Sequence, residues 1–82
     1  VRDILAAEWD PAGQIRSAIG AGPEYYQEQA VIVVAMLAAA ARESEVQGYL
    51  RQQEQAALGS SLHPFDARRR IAEAAWRAVR SL

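Results

Sequence analysis

The stretch from Glu24 to Arg42, EYYQEQAVIVVAMLAAAAR, decides the fold. Its centre, Val31 to Val34, is a β-branched run of the kind that fills strands. Its flanks argue the other way. No turn residue interrupts Glu24 to Arg42, and Met36 to Ala41 are strong helix formers. The stretch is therefore expected to be one long helix, opened by Pro23 or Glu24 and ending near Arg42. From Ala30 to Ala41 it has twelve positions without a polar side chain. A membrane span needs about 20, so this is expected to be a buried helix, with no membrane role.

Reading outward toward the N-terminus, Val1 to Trp9 forms a short amphipathic helix. Ile4, Leu5 and Trp9 share one face, and Arg2, Asp3 and Glu8 stay wet. Pro11 disfavours helical dihedrals at Asp10 and stops it there. Gly13, Gly20 and Gly22, with Pro11 and Pro23, mark a connection. Within it Asp10 is expected to cap a brief helical turn that begins at Pro11 and points Ile15 and Ile19 inward.

Toward the C-terminus, Ser44-Glu45-Val46-Gln47 fits a capping box and should start the next helix. Val46, Tyr49, Leu50, Gln53, Ala57 and Leu58 make its inner stripe, and Gly59 is its left-handed stop. Pro64 belongs in the first turn of a last helix running to about Ser81, with Asp66 near its positive end. Ala67, Ile71, Ala75, Ala78, Val79 and Leu82 are the apolar face. The expected fold is all-α: one domain over 1–82, a small antiparallel bundle of three main helices plus a short N-terminal helix.

Composition limits function. There is no cysteine, hence no disulfide or thiolate metal site, which fits a reducing, cytoplasmic setting. All nine basic residues are arginine, and with the alanine richness this points to a GC-rich bacterial source. The chain begins at Val1, as a trimmed or excised piece does, and its first residues show no signal-peptide pattern. His63 is the sole histidine, with no metal-ligand spacing around it. It reads as a residue flanking a helix start. No nucleophile elbow or phosphate-binding glycine loop is present. No catalytic residue, cofactor, metal or small-molecule substrate is assigned. The one enzymatic alternative is acid–base work by Glu8, Asp10, Glu24 and Glu28, should the first helices bring them together.

Two surfaces attract attention. Residues 60–82 hold five arginines against Asp66 and Glu73, while residues 1–59 hold four arginines against eight acids. Arg68, Arg69, Arg70 and Arg77 are thus candidate phosphate contacts for a nucleic-acid-binding reading. Against it, Glu73 lies four residues from both Arg69 and Arg77, the spacing of helical ion pairs on a solvated face. Trp76 borders the basic side, where it closes the bundle or stacks under Arg68 or Arg80. The second surface is the long helix, too apolar around its circumference for three other helices to cover. Tyr25, Tyr26, Val33, Met36 and Leu37 are its candidate protein interface, for a protein partner or a second copy.

ILAAEWDPAG, PEYYQEQA and EVQGYLRQQEQAALG, in that order, resemble a family of small, uncharacterised bacterial helical proteins. The family carries an Ile-Leu-x-x-x-Trp-Asp-Pro-x-Gly start, an acidic-tyrosine helix opening and a later Tyr-Leu-x-x-x-Glu segment. The matching positions are Ile4, Leu5, Trp9, Asp10, Pro11 and Gly13, then Glu24 and Tyr25, then Tyr49, Leu50 and Glu54. The resemblance implies a compact helical bundle and no established reaction. Here the opening Gly22-Pro23-Glu24-Tyr25-Tyr26 has fewer acids than the family pattern. The leading expectation is a non-enzymatic interaction module, of the accessory or immunity type. Trp9 and Asp10 are read as a structural corner.

Overall fold

The computed structural model describes residues 1–81. Among the described residues there are five α-helices: α1 (Arg2–Ile4), α2 (Gln14–Ala18), α3 (Glu24–Ala38), α4 (Glu43–Leu58) and α5 (Phe65–Arg80). A π-helical turn, Leu5–Trp9, continues α1. No strand occurs among the described residues. The expected Val31–Val34 ambiguity resolves as helix. Leu82 of the expected C-terminal apolar face lies outside the described residues.

The core forms where the inward stripes meet. Leu5, Trp9, Ile15, Val33, Val46, Leu50, Ile71, Ala72 and Ala75 are all buried. Helix α4 packs mainly on α5 and α2, and α3 on α5 and α1. Each buried valine, leucine or isoleucine among them contributes about 1.5–3 kcal/mol, and that burial holds the helices together.

Several boundaries differ from expectation, each for a local reason. Helix α3 ends at Ala38, four residues before Arg42. Ala40 takes φ 66°. The Ala41 N–H donates to the Met36 carbonyl at 2.9 Å and the Ala40 N–H to the Leu37 carbonyl at 3.1 Å. This is a Schellman stop with alanine where glycine is usual, so no residue type announced it. Helix α4 begins at Glu43 with Arg42 as its N-cap, so Ser44 is not the cap. Only half of a capping box forms: the Arg42 N–H donates to Glu45 Oε1 at 3.3 Å, and an arginine side chain has no acceptor to reciprocate. Gly59 does take the left-handed conformation, φ 75°. Pro64 is the N-cap of α5, one residue ahead of the first-turn position.

Candidate functional site

The first corner is built on Asp10. Gly13, at φ 67°, turns the chain after Pro11 and opens α2 at Gln14, not at Pro11 as expected. The Asp10 carboxylate then reaches over that turn. Its Oδ1 accepts from the Ile15 N–H at 3.1 Å and its Oδ2 from the Arg16 N–H at 3.2 Å. These are free donors of the first turn of α2. The Tyr26 hydroxyl donates to Oδ2 at 2.8 Å, and the Arg16 guanidinium lies 6.0 Å from the Tyr26 ring centre. Ile15 is buried as expected. Ile19, expected inward, ends α2 and stays half exposed.

The second corner is built on Glu54, whose side chain is wholly buried. Its Oε2 accepts from Arg68 Nε at 2.9 Å and from the Trp9 indole N–H at 3.0 Å. Its Oε1 accepts from Arg68 Nη2 at 2.9 Å and from the backbone N–H groups of Leu62, at 2.7 Å, and His63, at 3.2 Å. Arg68 Nη2 also donates to the His63 carbonyl at 2.6 Å. The His63 Nε2–H, in turn, donates to the Trp9 carbonyl. Burying a carboxylate is costly unless it is paired and hydrogen-bonded; five donors satisfy this one. Burial alone pushes the Glu54 carboxyl up, but Arg68, Trp9 and the two backbone donors together bring it down to about 2.

These two corners account for most of the polar groups inside the molecule. Tyr25 stacks on Trp9 (ring centres 6.4 Å apart, planes at 16°) and meets Tyr26 edge-on at 5.8 Å. Burial, then the nearby Tyr49, Asp10 and Tyr26, pushes the Tyr25 hydroxyl up to about 12. The Tyr49 hydroxyl donates to buried Gln29. A cleft of about 180 Å3 between α4 and α5 is lined by Gln47, Arg51, Phe65 and Arg68 among others. There Gln47 Oε1 is buried without a hydrogen-bond partner.

The geometry revises the candidate residues. Arg68 is not a phosphate contact: it is 5% exposed and bound to Glu54. Arg69, Arg70 and Arg77 remain on the surface, and Arg69 lies 3.8 Å from Glu73. Tyr25, Tyr26 and Val33 are not interface residues either. They are buried in the core, because Tyr25 covers Trp9 and Tyr26 reaches Asp10. Met36 and Leu37 are partly buried against the same core. Asp10 is engaged within its corner, and Glu8, Glu24 and Glu28 are exposed. Among the described residues no three His, Asp or Glu side chains are grouped to hold a metal ion. Also among them, no helix is long and apolar enough to cross a membrane.

What α3 turns outward is a different set. Val31 is 58% and Ile32 39% exposed, with Ala35 and Ala38 exposed beside them. Val31 and Ala35 line a groove of about 660 Å3 that continues to Val1, Arg2 and Asp3. Ala38, one turn along, opens a second groove of about 270 Å3, lined by Leu37, Ala41, Trp76, Val79 and Arg80. Trp76 is 37% exposed, with the Arg80 guanidinium 4.8 Å from its ring centre. An apolar surface thus runs along α3 and around its C-terminal end to α5. The residues that the sequence singles out on this helix, Tyr25, Tyr26, Val33, Met36 and Leu37, lie on its inward side. The signal was available: Tyr26, Ala30, Val33 and Leu37 recur at helical spacing and define the inward side. No model of a known protein family matches the chain, and comparison with curated proteins and with solved structures finds no significant match.

Proposed function

We propose that this chain is a non-enzymatic protein-interaction module that docks through the outward face of α3. We read its scaffold as a small antiparallel bundle of α3, α4 and α5, with the N-terminal elements packed over it. The supporting observation is the apolar surface of Val31, Ile32, Ala35 and Ala38, extended to Trp76. Scattered exposed apolar residues need no explanation, but a contiguous run bordered by charges marks contact surfaces. The buried carboxylates support the same reading from the other side, since the lone pairs of Glu54 and Asp10 are spent on internal donors.

The test is photo-crosslinking from single positions. A photoreactive residue at position 31 should give a discrete protein adduct, and one at position 69 should not. No adduct at 31, or equal adducts at both positions, would reject the assignment of this face.

A further inference from the structure

We infer that the occupant of the α3 face is a second copy of the same chain, laid antiparallel across it about a two-fold axis. The inference rests on the interaction reading of that face and adds the identity of the partner. It comes from the order of charges along the stripe. The outward side of α3 begins with Glu24 and Glu28 and passes through uncharged Val31, Ile32, Ala35 and Ala38; exposed Arg42 follows four residues later in the chain, at the start of α4. Arg80 borders the same end, on the rim of the groove that Ala38 and Ala41 line. Glu24, Glu28, Arg42 and Arg80 make no ion pair with any described residue.

A surface with acids at one end, bases at the other and an apolar centre is complementary to itself turned end for end. An isologous contact has that requirement, because a residue at one end of the patch meets a residue at the other end of the second copy, and the reverse contact repeats it across the axis. With the axis near Ile32 to Ala35, Glu24 and Glu28 of each copy approach Arg42 and Arg80 of the other. Exposed β-branched and alanine side chains at the centre allow close helix packing, and Arg2 and Asp3, the charges bordering the groove at Val31 and Ala35, pair with each other at 3.4 Å. The rim pairs set the antiparallel register and weaken with salt. The apolar part is small, so the dimer is of the weak, reversible class.

Sedimentation equilibrium on the full chain tests this. The wild type should dimerise reversibly below about 1 mM, more tightly at low salt. Val31→Arg, at an exposed position, should weaken association at least about tenfold, with the helical circular dichroism spectrum retained. Glu28→Arg alone and Arg42→Glu alone should each be poorer dimers, because like charges then face across the axis. Mixed, the two variants should form a heterodimer in which both rim contacts are restored. A wild type monomeric to about 1 mM, or a mixture that associates no better than its parts, overturns the second copy as occupant. The crosslink at position 31 separates the two levels. An adduct to a different protein leaves the interaction module standing, and no adduct removes both.

Discussion

The Trp9 indole N–H and the Glu54 carboxylate, 45 residues apart in sequence, meet at 3.0 Å inside the protein. That contact ties the N-terminal segment to α4, and Arg68 carries the tie on to α5. Removing Glu54 leaves a buried guanidinium without its counter-ion, which costs about 3–5 kcal/mol. Small domains hold about 5–15 kcal/mol in all. Glu54→Ala should therefore lower the urea midpoint drastically or unfold the chain. Glu54→Leu combined with Arg68→Met should lose much less than the two singles summed, as a double-mutant cycle in urea would read out.

The same carboxylate makes the fold acid-sensitive. The Glu54 pKa falls from an ordinary 4.5 to about 2 on folding. Its contribution is therefore fully present above about pH 4.5 and lost as pH falls from there toward 2. The shift corresponds to about 3 kcal/mol. Unfolding free energy measured between pH 7 and pH 2 should show this loss, and Glu54→Gln should flatten the profile.

Alkaline pH acts through the tyrosines. Burial raises the Tyr25, Tyr26 and Tyr49 hydroxyls above 10.0, Tyr25 to about 12. Stability supplied by their neutral forms is present below pH 10 and drains as pH rises toward 12. Phenolate absorbance and helical circular dichroism should change together in that range. Tyr26→Phe, which removes the hydroxyl from Asp10, should cost about 1 kcal/mol at neutral pH.

Ala40 stands in the left-handed region at φ 66°, where a Cβ is unfavourable and glycine is not. Ala40→Gly should raise stability by about 0.5–1 kcal/mol, with melting temperature as the measurement. A fall would show that the αL stop of α3 is not formed in solution.

The three consecutive arginines should behave differently although they look alike. Arg69→Ala and Arg70→Ala sit on the surface and should change stability by less than about 0.5 kcal/mol. Arg68→Ala strands Glu54 and should cost about 3–5 kcal/mol. Thermal melts of the three variants give the comparison directly.

These cases show what the sequence carries and what it does not. The long helix, the break at Pro11 and the stop at Gly59 follow from local chemistry, and local chemistry is written in residue types. Glu54 and Arg68 look like solvated charges because each sits in a polar run, and their burial is decided by partners 14 residues apart. Spacing still held a clue. Val46, Leu50 and Glu54 recur every four residues on one stripe of α4, and Arg68 shares a stripe with Ile71, Ala72 and Ala75 on α5. A charge on each inward stripe is the mark of a buried pair. The end of α3 has no such clue, since Ala38 to Ala41 are one residue type and the left-handed turn falls on one of them, Ala40. The burial of Tyr25 and Tyr26 is hidden for a related reason, since it is decided by distant partners: Tyr25 stacks on Trp9 and Tyr26 donates to Asp10.

Leu62 and His63 belong to no helix, yet their amide protons are held by a carboxylate at the centre of the molecule. Loops ordinarily exchange their amide hydrogens first. Here the protons of residues 62 and 63 should outlast those of the helix ends, exchanging only when the whole chain opens. The link between α4 and α5 is then the clock for global unfolding, and a deuterium trace of two amides reads the stability of the entire fold.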